Sequence, residues 1–351
     1  MNTYNIFTNK PDTIPSGKAD FLLAASVTKT CEIDGITQAG IPGMIPLTPT
    51  LDAEFIINQR VYSLGEIAET PTGVPTPAII TRAVHNLAPF SAVEILNLGL
   101  SKAPQHSICH DFGILPSDSI AEGAKIDARA VFEKGLKAGE RYELKGNYLI
   151  LGESTPSGTT TAAATALALG YDCRDKFSSS FLNIPKGIKD ETIDKALSLI
   201  NSEMSSFEKL SVVSDNMLIF CAGFIMSASR RFHVVLAGGT QIAACLLVAD
   251  KLREDVLMRV KDENITLATT SWVANDKNSD IAHILSLLSY KPHAVYTTFS
   301  FKKATIPLLK KYDEGEAKEG VGAGAALAYA SAKGVDCNKL LEEIEYIIYS
   351  M

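Results

Sequence analysis

The chain has 351 residues, 46% of them hydrophobic, enough to fill a substantial core in one large domain or in a main domain with a smaller lobe. Its formal net charge of −7 leaves no basic surplus for a nucleic-acid partner and directs attention to a small molecule. The N-terminus, MNTYNIFTNKPDTIPSGKAD, has no basic start followed by an apolar run, so no signal or transit peptide is expected and cytoplasmic residence is the default.

Short apolar runs read as strands at 21–27, 91–100, 147–152, 232–238, 265–270 and 294–300. Most are continuously apolar, as strands covered on both faces must be. Segment 35–77 differs: Pro42, Pro46, Pro49, Pro71, Pro75 and Pro77 impose extended or turning backbone, which predicts an elaborate rim. Helices are predicted at about 119–138, 159–170, 190–207, 216–229, 240–253, 276–289, 303–312 and 324–349, the last broken at Gly334. The alternation predicts an α/β fold, a doubly wound and mostly parallel sheet. Residues 21–310 would form its core, and 1–20 with 311–351 a smaller lobe or helical extension.

The apolar stretches 217–228 and 232–249 read as buried core and not as membrane spans. The first is too short to cross a bilayer, and the second contains Gly238, Gly239, Thr240 and Gln241. The six cysteines are scattered without a CxxC pair, consistent with reduced thiols. "HSICHD" at 106–111 has no second cluster to complete a metal site, so no metal and no cofactor is expected.

Three strands run directly into Gly/Ser/Thr loops, where helix N-termini present unpaired N–H groups to an anion. In "LGESTPSGTTTAAATALALG" (151–170), Gly152 and Gly158 allow unusual backbone angles and close approach, while Thr159, Thr160 and Thr161 are candidates to cap a helix or donate hydroxyls. The combination suits a phosphate, although the lysine of a P-loop is missing and a well-capped turn accounts for the spacing equally well. In "AKEGVGAGAALAYASAKG" (317–334), Glu319 leads Gly320, Gly322 and Gly324 into an alanine-rich helix. Its carboxylate is either a favourable charge at a helix start or a general base whose pKa rises in a closed pocket. Glu314 and Glu316 are its rivals. Trp272 reads as a packing residue, and Asp215 with Asn216 as a helix start.

Together, "LGESTPSGTTTAAATALALG", "HVVLAGGTQIAACLLVA" and "KEGVGAGAALAYA" resemble, in order and distance, three glycine-rich segments of the nicotinate-nucleotide:dimethylbenzimidazole phosphoribosyltransferase family, most of all a divergent, largely archaeal branch. The resemblance extends from about residue 90 to the C-terminus. It implies that Gly152, Glu153, Ser157, Gly158, Thr159 and Thr160 form the phosphate loop and that Glu319 is catalytic. It extends the nucleotide contacts to Gly238, Gly239, Thr240, Gly320 and Gly322. It also implies a homodimer that transfers the ribose phosphate of nicotinate mononucleotide to an aromatic azole acceptor, giving the α-ribazole-type phosphate of the cobamide lower ligand. The family's loop typically reads GEMGIGNTT where this chain has GESTPSGTT, and the usual strand-ending aspartate is Ala237 here. Those departures leave a second reading open, a non-catalytic nucleotide or phosphometabolite binder derived from the same fold.

Overall fold

The computed structural model describes residues 1–351. Eight strands form one sheet: β1 (Thr3–Asn5), β2 (Ala19–Ala25), β3 (Ala92–Asn97), β4 (Cys109–Asp111), β5 (Tyr148–Ser154), β6 (Val234–Ala237), β7 (Ile265–Thr270) and β8 (His293–Thr297). Their spatial order is β1-β8-β7-β6-β5-β2-β3-β4, and every pairing is parallel except β1 with β8. The predicted α/β, doubly wound and mostly parallel sheet is therefore the observed one. From β2 the chain builds outward to β3 and β4; it then returns to β5 on the other side and builds outward to β8. The β2/β5 pair is thus the topological switch point, where such sheets bind ligands beyond the strands' C-terminal ends.

Alternating side chains go to opposite faces of the sheet, as the two-residue period requires. Leu22, Leu149, Leu151, Val234 and Leu236 enter one core, while Phe21, Leu23, Tyr148, Ile150 and Val235 enter the other. The first core is closed by α3 (Ala128–Arg141), α4 (Gly158–Ala168), α6 (Ser206–Val213), α7 (Asn216–Ala228) and α8 (Thr240–Leu252). The second is closed by α1 (Thr48–Asn58), α2 (Ala78–Leu87), α12 (Ala323–Ala332) and α13 (Cys337–Tyr349). The remaining helices are α5 (Lys186–Ser198), α9 (Ser271–Ala274), α10 (Ile281–Ser286) and α11 (Lys311–Glu314). The line drawn between a 21–310 core and its flanks runs through this architecture, since β1 completes the sheet and α12 packs on it.

Several boundaries differ from the sequence reading. The proline-rich rim contains α1, which tolerates Pro49 because a helix's first turn needs no N–H donor there. The helix expected at 119–138 begins only at Ala128, after Gly123 turns the chain at φ 85°. The helix expected at 190–207 is two, α6 starting afresh at the capping box of Ser205 and Glu208. β1 and β4, three residues each, lacked an apolar run long enough to read. The strongly apolar α7 is buried throughout, and no helix is long and apolar enough to cross a membrane.

Candidate active site

The two glycine-rich turns, more than 150 residues apart, touch. Val321 N–H donates to the Glu153 carbonyl at 2.9 Å, and a Cβ on Gly152 would lie 3.3 Å from the Gly322 backbone. They meet at the C-terminal ends of β5, β6 and β7 and enclose one cavity of about 130 Å³. Its wall is made by residues 153–159, 178–180, 239–241 and 317–321, and the rim segments 36–40 and 68–77 cover it.

Glu319 stands on this wall. Its Oε2 accepts from Thr270 N–H at 3.0 Å and the Thr269 hydroxyl at 3.3 Å; its Oε1 accepts from Gly324 N–H at 3.0 Å and Gly320 N–H at 3.2 Å. Four donors orient the carboxylate and favour its charged form, yet enclosure outweighs them and pushes it up to about 7. To take a proton at neutral pH the carboxylate must release one of these donors, and the Thr269 hydroxyl, the longest contact and free to rotate, is the one that can turn away. The loop that carries it is strained: Ala317 and Val321 both sit at φ 52°, and Gly320 and Gly322 at 143° and 75°. A β-branched residue at positive φ is held only by its surroundings. Here Thr81 donates to the Val321 carbonyl at 2.7 Å, and Thr270 to the Lys318 carbonyl at 2.7 Å. Lys318 is itself clamped by a buried ion pair to Asp276 at 2.8 Å.

Glycines at the end of β6 make room for two acids. A Cβ on Gly238 would stand 3.7 Å from Glu153 Oε1, and one on Gly239 3.7 Å from the Glu319 side chain. Glu153 is buried, and burial together with the charges of Glu319, Asp215 and Asp52 pushes it up to about 8. Asp52 is raised by burial to about 6, although Thr76 and Ser154 donate to it at 2.7 and 2.8 Å. At neutral pH the wall thus holds Glu153 largely protonated beside a partly ionised Glu319.

The opposite wall suits an anion. β5 passes through only Thr155, Pro156 and Ser157 before α4 begins at Gly158; the N–H groups of Gly158, Thr160 and Thr161 turn back to the Thr155 and Ser157 carbonyls, so that of Thr159, on the cavity wall, is the one left unpaired in the first turn. Here the structure corrects the sequence reading. Gly152 lies in extended β5 and Gly158 in α4, neither at positive φ; each is needed for close approach, a Cβ on Gly158 falling 2.1 Å from the Gln241 amide. The left-handed residue is Ser157, at φ 60°. Thr159, Thr160 and Thr161 do not cap the helix; Thr161 instead donates to Asp215 and the Gly158 carbonyl. Buried hydroxyls of Thr155, Ser157 and Thr160, with the Gln241 amide nitrogen, have no hydrogen-bond partner. Such groups are expensive unless a ligand satisfies them. Behind this wall, not itself lining the cavity, lies Lys189, 6% exposed, whose ammonium donates to the Thr159 hydroxyl at 3.1 Å and the Ser178 carbonyl at 3.2 Å and pairs with no carboxylate. Burial, then the charge of Lys318, lowers it to about 8. An ammonium has three donors, so one remains free for an anion.

Of the residues singled out in the sequence, Glu153, Ser157, Gly158, Thr159, Gly239, Thr240, Glu319 and Gly320 line the cavity. Gly152, Thr160, Gly238 and Gly322 lie directly behind it, as packing around the two turns. Thr240 joins the floor by accepting from Ser178 N–H at 3.0 Å. The rivals of Glu319 point elsewhere: Glu316 accepts from Thr70 at 2.8 Å, and Glu314 pairs with Lys311. Trp272 packs on Phe301 and donates to Asp313. Asp215 caps α7 through Leu218 N–H, and His110 pairs with Glu94 at the far sheet edge. Sequence reasoning missed Asp52 and Lys189, which no local motif marks because their partners lie along distant stretches of chain, and passed over Gln241 although it directly follows the Gly238–Thr240 motif.

No protein-family model matches this chain. The UPF0284 protein of Sulfolobus acidocaldarius is 35% identical over 335 residues, 95% of each chain. That of Archaeoglobus fulgidus is 34% identical over 337 residues, 95% of this chain and 94% of its own. Among solved structures the fold matches that of the nicotinate-nucleotide-dimethylbenzimidazole phosphoribosyltransferase from Thermus thermophilus, with a TM-score of 0.60 and 17% identity over 93% of this chain and 83% of that one. CobT from the same organism gives 0.59 and 17%, covering 95% and 85%. At that identity the likeness is one of fold.

Proposed function

The chain belongs to the UPF0284 family, and on that premise we propose that it is a phosphoribosyltransferase, moving the ribose phosphate of nicotinate mononucleotide to an aromatic azole such as dimethylbenzimidazole in cobamide assembly. The observation that carries this reading is the meeting of an anion-seeking wall and a titratable carboxylate in one cavity. The shared fold adds the donor and acceptor as chemistry to test.

In this reaction the 5′-phosphate docks at the start of α4, taking the unpaired N–H of Thr159, the unpaired hydroxyls of Ser157 and Thr155, and the remaining proton of Lys189. Anchoring holds the anomeric carbon toward Glu319, and such positioning is worth roughly 7–11 kcal/mol at best. The pyridinium is an activated leaving group; its bond to the anomeric carbon breaks and the electron pair returns to the ring, leaving neutral nicotinate nitrogen. An azole nitrogen attacks the opposite face, inverting the centre from β to α, while Glu319 takes the azole N–H proton. Glu153, protonated beside it, spares the site a second negative charge and offers an O–H to the sugar. A homodimer belongs to the same proposal, with sedimentation velocity as its check.

Incubation of the folded protein with nicotinate mononucleotide and a panel of benzimidazoles, adenine and phenols should release nicotinate and form an α-riboside phosphate. No release with any acceptor overturns the proposal. Binding of the nucleotide without turnover, equal in wild type and Glu319→Gln, would identify a non-catalytic binder instead.

A further inference from the structure

A second concavity lies at the far edge of the sheet, over one face of β3 and β4. Glu94 and Leu96 from β3, with Ile108, His110 and Phe112 around β4, point into it at two-residue spacing. α3 walls it, and Tyr142 and Phe224 close its floor. At about 570 Å³ it is larger than the active-site cavity and within the range of about 300–1,000 Å³ usual for small-molecule sites.

Its charge is opposite to that of the chain. Glu94 is already satisfied by Lys145 and by His110, the latter at 2.7 Å. Lys134, Lys137 and Arg141, spaced at i, i+3 and i+7 on α3, line the same wall and form no ion pair within the chain. Only Glu143 opposes them. On a protein of net charge −7, three unpaired cations beside the accessible apolar surface of Phe112 and Ile108, with Leu96 and Phe224 buried beneath, are a local inversion of charge. Ile108, 57% exposed, extends the apolar surface to the mouth. The cations have long apolar stems that can cover a bound ring or chain while their heads meet its charge.

We propose that this groove is a binding site for an organic carboxylate with an apolar body, held by Lys134, Lys137 and Arg141 above the β3–β4 face. It is independent of the active site in residues and location, so neither reading depends on the other.

The test is calorimetric titration of the intact protein with 2-naphthoate and with its neutral counterpart 2-naphthol. One saturable equivalent of naphthoate, at least tenfold tighter than naphthol, is expected. Lys137→Glu combined with Arg141→Glu, both at exposed positions, should weaken naphthoate at least tenfold and leave the melting temperature and nucleotide binding unchanged. Displacement by decanoate assigns the site to acyl chains as well as rings, and its absence to rings alone; both support the proposal. Equal binding of naphthol, or indifference to the charge reversal, overturns it. So does a dimer that the double substitution dissociates and that takes up no naphthoate, for then a second copy fills the groove.

Discussion

The turns that carry Ser157 and Glu319 look alike as sequences, small residues entering an alanine-rich helix, but they are held by different physics. The first spends little on backbone strain, with Ser157 alone left-handed; its glycines are there so that Gln241 and Gly322 can come close. The second passes through four residues at positive φ and stays in place because Thr81, Thr270 and the Lys318–Asp276 pair hold it. One is therefore a surface left incomplete for a ligand, with unpaired hydroxyls. The other is a carboxylate already fixed by four donors. A glycine-rich motif thus carries little meaning until it is known whether the glycines serve dihedral angle or approach.

The largest expected effect tests the carboxylate. Glu319→Gln keeps the shape and removes the proton acceptor, so kcat for nicotinate release should fall about 10²–10⁴-fold with KM for the nucleotide nearly unchanged, measured by steady-state kinetics. A fall in binding with unaltered kcat would move Glu319 to the substrate-holding wall.

The same substitution at two glycines separates the two kinds of turn. Gly322→Ala places a methyl 2.7 Å from the Phe21 ring at φ 75°, and should cost about 2–4 kcal/mol of stability by denaturant unfolding. Gly158→Ala meets only the movable end of Gln241, so the fold should hold while nucleotide affinity drops about tenfold by calorimetry. Equal stability losses at both sites would erase the distinction.

How much of this was legible follows from how far each signal travels along the chain. The inner strands showed as apolar runs because they are covered on both faces, and the Gly152–Thr160 and Glu319–Gly324 segments showed because each is contiguous. Asp52 was invisible: its meaning comes from Ser154, 102 residues on, and from a helix hidden among prolines. Lys189 lay just before the helix expected at 190–207 and carried no signal; only the fold turns it inward beneath Thr159. The close approach of Gln241 to Gly158 likewise depends on α4 and α8 packing side by side, which no local pattern encodes.

The paired acids predict an unusual pH dependence. Glu153 and Glu319 are raised in the folded chain from 4.5 to about 8 and about 7, so between pH 4.5 and 8 the folded state binds more protons than the unfolded one. Stability from these groups is complete below pH 4.5 and is lost as pH rises through 7 and 8. Chemical denaturation of the ligand-free protein should show that decline, and Glu153→Gln should flatten it, gaining on wild type at pH 8 and not at pH 4.5. Turnover runs the other way, rising through pH 7 as Glu319 ionises.

The smallest effect is the most discriminating for the anion wall. Ser157 pays for a left-handed backbone with a hydroxyl that has no partner in the ligand-free chain. Ser157→Gly relieves the strain and removes a buried unsatisfied group, against a glycine entropy cost of about 0.5–1 kcal/mol. A net gain of about 0.5–1 kcal/mol, or roughly 1–3 °C in melting temperature, is expected for the free protein. With nucleotide present the sign should reverse: the hydroxyl that was a liability becomes a phosphate donor, and its loss should weaken binding about three- to tenfold. A variant more stable alone and less stabilised by nucleotide marks Ser157 as a residue kept for its ligand; gains in both states would place the phosphate elsewhere.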